Sequence, residues 1–266
     1  MDWVRAKSIL IAMLLALNLF MAGYLINREL GDSADRAFYT NVTGILEGRG
    51  VSVNCKFPKS VTASGLLIYG DGARFVEGCA AALNASGAAG DIAMPGRESL
   101  HYTNSHPDEG LNTGSHANLD ADVRKTLRDM GIDISRFKTD NILAAEDSSG
   151  GYFLQYILEY DGKLVFDSNV KAYVTPEGGI SELTINYREI KAAPDDKHMK
   201  VVPAYQVILK NYHNSGDAIS SISIGFMGQN TARENPFMES EEGAVWRVRL
   251  EDGTERFFEA AYGDEI

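Results

Sequence analysis

The apolar positions of this chain change their period repeatedly, and the first pattern has no period at all. From Ser8 to Ile26 the run SILIAMLLALNLFMAGYLI carries no charge, and only Ser8 and Asn18 are strongly polar. At ~1.5 Å rise per residue this run matches a hydrocarbon core of ~30 Å, which predicts a membrane-spanning helix. Beyond it Phe38, Val42, Ile45 and Leu46 recur at helical spacing within residues 33–47, with Gly48 and Gly50 placed to stop the helix. Val51, Val53, Cys55 and Phe57 then alternate with polar residues up to Pro58, the pattern of a half-buried strand. A Ser/Gly turn precedes an expected strand over Leu66–Tyr69. A short helix is expected over Arg74–Asn84 with Phe75, Cys79, Ala82 and Leu83 inward, and a further strand over Ser99–Thr103.

After the turn-rich segment NSHPDEGLNTGSH, Leu119, Val123, Leu127 and Met130 mark a second helix closed by Gly131. Strands follow around Asn141–Ala145, Tyr152–Tyr160, Lys163–Phe166, Val170–Thr175 and Ile180–Tyr187. They are separated by Ser149-Gly150-Gly151, Asp161-Gly162 and Pro176-Glu177-Gly178-Gly179, so an antiparallel meander is expected. Lys191–Lys200 reads as a polar linker. A helix over Pro203–Tyr212 follows, with Pro in its first turn and Tyr205, Ile208, Leu209 and Tyr212 on its apolar face. Strands over Ile219–Phe226, Ala244–Leu250 and Glu255–Ala261 complete the pattern. Helix followed by antiparallel strands thus repeats, which predicts an α+β fold of helix-on-sheet units. The expected division is a cytoplasmic N-terminus and anchor at 1–27, then α+β units at 28–117, 118–190 and 191–266.

A secretory signal peptide is the rival reading of the first segment. The small-residue cleavage pattern around Phe20-Met21-Ala22-Gly23 is poor and the apolar run exceeds the usual ~7–15-residue signal core, so a retained anchor is expected. Arg5 and Lys7 precede the run, placing the N-terminus in the cytoplasm and the remainder outside. Ser8, Ala12, Ala16 and Gly23 form a stripe of small residues on which another helix can approach closely. Asn18, nearer Ala22, presents an amide that needs a partner in lipid. These six residues are the candidate helix contacts.

Charge narrows the partners. Removing Asp2, Arg5 and Lys7 from 37 acidic and 25 basic residues leaves a net charge of −13 beyond the anchor and no basic patch, so neither nucleic acid nor anionic lipid headgroups are expected as ligands. Cys55 and Cys79 allow either one bridge or two buried thiols. The five histidines lack the i, i+4 spacing of a zinc hydrolase, and no nucleophile elbow, phosphate loop or dinucleotide fingerprint occurs. No catalytic residue, metal or cofactor is therefore assigned. Asp195-Asp196 and Glu241-Glu242 are read as solvated linkers, and Trp246 and Tyr205 as packing residues.

Several separated pieces, in order, resemble the YycI (WalI) family and the related YycH. They are Met1-Asp2-Trp3 ahead of the span, Tyr152–Tyr156, Tyr160–Ser168, Gly179-Ile180-Ser181, Ala204-Tyr205, Ile224-Gly225-Phe226, Val245–Val248 and Phe257–Gly263. The resemblance covers the anchor and roughly residues 118–263. It implies a single-pass, non-enzymatic accessory protein of a Gram-positive-type cell membrane that acts with a YycH-like partner on a WalK-like sensor histidine kinase. The last helix-and-strands unit is also similar to PepSY modules, whose alternative implication is an extracytoplasmic protease inhibitor or chaperone.

Overall fold

The computed structural model of the protein describes residues 38–266 apart from 59–62, 66, 88, 109, 146–149, 193–197, 214–215 and 229–239, together with the isolated positions Met13, Leu14, Leu17 and Met21. The fold is α+β with a mixed sheet. Its helices are α1 (38–48), α2 (Ala73–Ala85), α3 (His116–Asp129) and α4 (Ala204–Asn211). Its strands are β1 (Ser52–Val53), β2 (Ala63–Gly65), β3 (Leu67–Gly70), β4 (Asp91–Gly96), β5 (Ser99–Thr103), β6 (Phe137–Ala144), β7 (Tyr152–Tyr160), β8 (Lys163–Val174), β9 (Ile180–Asn186), β10 (Glu189–Ala192), β11 (His198–Lys200), β12 (Ala218–Phe226), β13 (Ser240–Glu242), β14 (Ala244–Leu250) and β15 (Glu255–Glu259).

The meander forms as its alternation requires. β6, β7, β8 and β9 pair antiparallel in sequence order. Asp161 (φ 50°) and Gly162 (φ 71°) form the two-residue connection between β7 and β8; two consecutive positive φ values suit the right-handed twist of a hairpin, and Asp-Gly is the pair that tolerates them. On the inner face Leu154, Tyr156, Val170, Ala172, Leu183 and Ile185 are all at most 1% exposed. Helix α3 seats on this face through Leu119, Val123 and Leu127, and α2 contributes Val76, Cys79 and Leu83 to the same core. Polar contacts fix α3 in place. Arg124 donates to Asp120 (3.2 Å) and to Thr139 Oγ1 (2.8 Å), and its guanidinium lies 4.6 Å from the centre of the Tyr156 ring.

The sheet forks at β8. Where two strands were expected, over Lys163–Phe166 and Val170–Thr175, one continuous strand runs. It absorbs the break as a bulge, because Leu158 pairs with Val165 while Ile157 pairs with Asn169, leaving residues 166–168 extra. Along its other edge β8 pairs parallel with β12 at Leu164 and Val165 and antiparallel with β9 from Asn169 onward. Strands β12, β14 and β15 continue the lower branch, and β9, β5 and β4 the upper one. The core is continuous from Val42 to Ala260, and strands from all three helix-plus-strand stretches join this one sheet. Trp246 is fully buried with its indole N–H donating to the Val202 carbonyl at 2.8 Å. That satisfies its one polar atom and agrees with its reading as a packing residue.

Several expectations need correction. Phe38 and Ile45 share the α1 stripe with Val42 and Leu46, yet only the latter two are buried; Phe38 is 44% and Ile45 49% exposed. Alternation through Cys55 and Phe57 gives partial burial, but the ladder of β1 is two residues long. The Ser/Gly turn before Leu67 and the polar stretch at 191–200 contain short strands, with β2 pairing β11 and β3 pairing β10. Glu241 and Glu242 lie in β13, paired with β3, and not in a linker. Asp195 and Asp196 lie outside the described residues. β4 had no sequence signal because its burial is nearly nil, leaving no alternation to read.

Candidate interaction surface

The six residues expected to make helix contacts, Ser8, Ala12, Ala16, Asn18, Ala22 and Gly23, lie outside the described residues. Met13, Leu14, Leu17 and Met21 are helical and at least half exposed. Among the described residues no helix is long and apolar enough to cross a membrane.

The pleat sorts the upper sheet into two faces, and the outer one carries an ordered set of side chains. One row across the strands runs Leu143, Phe153, Tyr173, Glu182, Thr103 and Asp91. Leu143 and Phe153 are each 49% exposed, and the Phe153 and Tyr173 rings lie 4.7 Å apart. The next row pairs His101 Nδ1 with Thr184 Oγ1 at 3.0 Å. In the third, Ser99 donates to Asn186 (2.8 Å), Asn186 to Asn169 (3.2 Å), and Asn169 to the Phe166 carbonyl (3.0 Å). These amides satisfy one another across β5, β9 and β8. The sequence marked the strands but not this face, because Phe153 and Tyr173 fall on the solvent phase of an alternation whose other phase is more strongly apolar.

Below the fork the sheet curls on itself. Asp140 is the extra residue of a bulge in β6, since Thr139 pairs with Tyr156 and Asn141 with Gln155. Aimed out of the ladder, its carboxylate reaches β14, accepting two hydrogen bonds from Arg247 (2.6 and 2.9 Å) and one from Arg249. Glu255 accepts from both arginines, and Arg247 also donates to Ser223 at 3.1 Å. Arg247 covers the Phe166 ring at 4.5 Å, above a small second core of Ile157, Phe166 and Val245. Burial alone would raise the Asp140 pKa, but the two guanidinium groups outweigh it and hold the carboxyl below the usual range. Asp167, in the β8 bulge, takes the opposite course. Its burial outweighs the Gly228 N–H (3.0 Å) and Arg188 (3.4 Å), and its carboxyl is pushed up.

A third surface gathers aromatic rings where α1 meets α4. Phe38 packs edge-on against Tyr205 at 4.8 Å, and Tyr39 stacks on Phe57 at 5.3 Å. Farther along, Arg49 donates to the Leu209 carbonyl at 2.8 Å, so α1 stays beside α4 over its length. Tyr205, expected in the core, is half-buried here.

The chemistry-bearing residues are dispersed. His101 is bonded within the sheet, His116 opens α3 with its ring 5.8 Å from Tyr152, and His213 lies 3.3 Å from Arg49. Among the described residues no group of three His, Cys, Asp or Glu side chains is placed to hold a metal ion. Cys55 and Cys79 are free thiols, both raised in pKa by burial, Cys79 to about 11. A shallow, polar cleft of about 320 Å³ lies between residues 135–138 and the β7–β8 hairpin.

No family model and no curated protein matches this chain. Among solved structures it is similar to an uncharacterized protein from Eubacterium rectale ATCC 33656, with a TM-score of 0.51 and 13% identity over 86% of this chain and 98% of the other. At that identity the likeness concerns the fold.

Proposed function

We propose that this protein is a single-pass, membrane-anchored regulator with no chemistry of its own. Its N-terminus lies in the cytoplasm and its α+β body outside, and it acts with a YycH-like partner on a WalK-like sensor histidine kinase. The observation that carries the reading is an uncharged run of membrane-spanning length at the head of an acidic body. The ordered sequence pieces that resemble YycI and YycH support it. The physical logic is a population shift: a contact made better in one signalling state of the kinase than in the other biases that equilibrium by ~1.4 kcal/mol per tenfold. In this reading Ser8, Ala12, Ala16 and Gly23 let the anchor approach a kinase helix closely, while Asn18, well away from that stripe and nearer Ala22, finds a partner for its amide on another transmembrane helix.

A membrane two-hybrid assay tests it. Residues 1–35 should retain association with the kinase. Association by the body alone, with none by residues 1–35, would overturn the anchor-centred mechanism. Capture of an extracytoplasmic protease by the body would instead favour the PepSY-type alternative, for which α4 followed by the antiparallel strands β12, β14 and β15 is the relevant unit.

A further inference from the structure

We propose that the face built by α1 and the start of α4 rests on the headgroup layer of the bilayer that holds the anchor, so that the helices of the body face the membrane and the outer sheet face points away. The inference deepens the anchored reading above and depends on it.

Three observations carry it. The first is reach. Eleven residues, 27–37, separate Ile26 from Phe38. Fully extended they span at most ~40 Å, so the start of α1 lies within that distance of the bilayer surface. The second is chemistry. Phe38 and Ile45 lie seven residues apart on α1, hence on one side of it, and both remain about half exposed although their neighbours Val42 and Leu46 are buried. Against Phe38 stand Tyr39 and Tyr205, rings with polar tips of the kind that settle at membrane–water interfaces, and Tyr39 stacks in turn on Phe57. The third is charge. The whole chain carries −12, which opposes contact with a phosphate-bearing surface. Segments 38–58 and 204–213, however, hold Arg49, Lys56 and Lys210 against Glu47 alone, a local balance of +2, with Lys210 paired to Asp264 at 2.6 Å. With Asp264 counted the balance is still +1, so the acidic excess of the whole chain does not oppose contact at this face.

The outer sheet face offers the contrast. Leu143 and Phe153 are as exposed as Ile45, but they lie on the opposite side of the sheet from the core that α1 and α4 cover. An apolar residue there should meet water.

The test uses the full-length protein in phosphatidylcholine vesicles, with Trp3→Phe removing the N-terminal indole and the fully buried Trp246 kept as an internal control. Phe38→Trp and, separately, Phe153→Trp add one reporter each. In the expected result the protein floats with the vesicles. The Phe38→Trp emission is then blue-shifted and quenched by lipids brominated on their acyl chains but little by aqueous acrylamide, while Phe153→Trp shows the reverse. A floating protein whose Phe38→Trp emission is quenched by acrylamide and not by brominated lipid overturns the inference and leaves the anchor intact. Shielding from both quenchers also overturns it, in favour of a protein contact on this face. Failure to float overturns the anchored reading itself.

Discussion

The Asp140 clasp gives the sharpest stability prediction, because a single carboxylate there joins strands that are not neighbours in the sheet. Its side chain is 9% exposed and faces Arg247 at 3% and Arg249 at 11%. Replacing Asp140 by Asn keeps the volume and removes the charge, leaving two buried guanidinium groups to share Glu255. Removing one partner of a buried pair costs ~3–5 kcal/mol, and since Glu255 remains we take the lower end, about 3 kcal/mol. For a protein of this size, where 1 kcal/mol moves Tm by ~2–4 °C, D140N should lower Tm by roughly 6–12 °C. The assay is thermal unfolding of the detergent-solubilised full chain, followed by Trp246 fluorescence. The pH dependence follows from the depressed pKa of Asp140. A carboxyl held below its unfolded value of ~3.9 contributes its full stabilisation above that value and loses it as pH falls through the folded one. The gap between parent and D140N should therefore persist from pH 7 to pH 5 and close only below about pH 4. A quadruple change, Asp140→Ala with Arg247→Met, Arg249→Met and Glu255→Gln, should recover most of the loss, since a buried network replaced whole costs far less than one broken. A D140N protein melting within about 1 °C of the parent at pH 7, well under the shift expected for the lost pair, would refute the reasoning.

Two further perturbations probe the fork and the helix layer. A Cβ at Gly225 would stand 2.5 Å from the Leu164 carbonyl oxygen and 2.7 Å from the Phe166 ring, so Gly225→Ala should destabilise by ~1–3 kcal/mol, read as a lowered melting temperature; no change would mean that β8 and β12 are not in register there. Cys79 has a pKa near 11 and should react with a maleimide at pH 8 at least ~100-fold more slowly in the native protein than after denaturation, with Cys55 faster than Cys79; equal rates by mass spectrometry would show that α2 is not packed as described.

The identity of most elements was legible in local pattern. β7 and β14 fall where alternation places them, and α2, α3 and α4 agree with their apolar spacing to within about two residues. Ile224-Gly225-Phe226 is visible in the sequence as a motif, but the reason for its glycine appears only when Leu164 and Phe166 are brought against it. The candidate contacts of the anchor, by contrast, rest on sequence alone.

What the residues determine by themselves is set by near neighbours: the uncharged run, the helical and alternating periods, the Asp-Gly hairpin, and an acidic balance that disfavours nucleic acid. What the tertiary structure decided depends on residues far apart in the chain. A three-residue bulge merges two expected strands and divides the sheet, and one extra residue in β6 sends Asp140 to arginines more than a hundred positions away. α1 buries half of an apolar stripe and leaves Phe38 and Ile45 in the open. Periodicity states that a side is apolar, but how much of that side is covered depends on how far the packing partner extends, and no local pattern encodes the partner's extent.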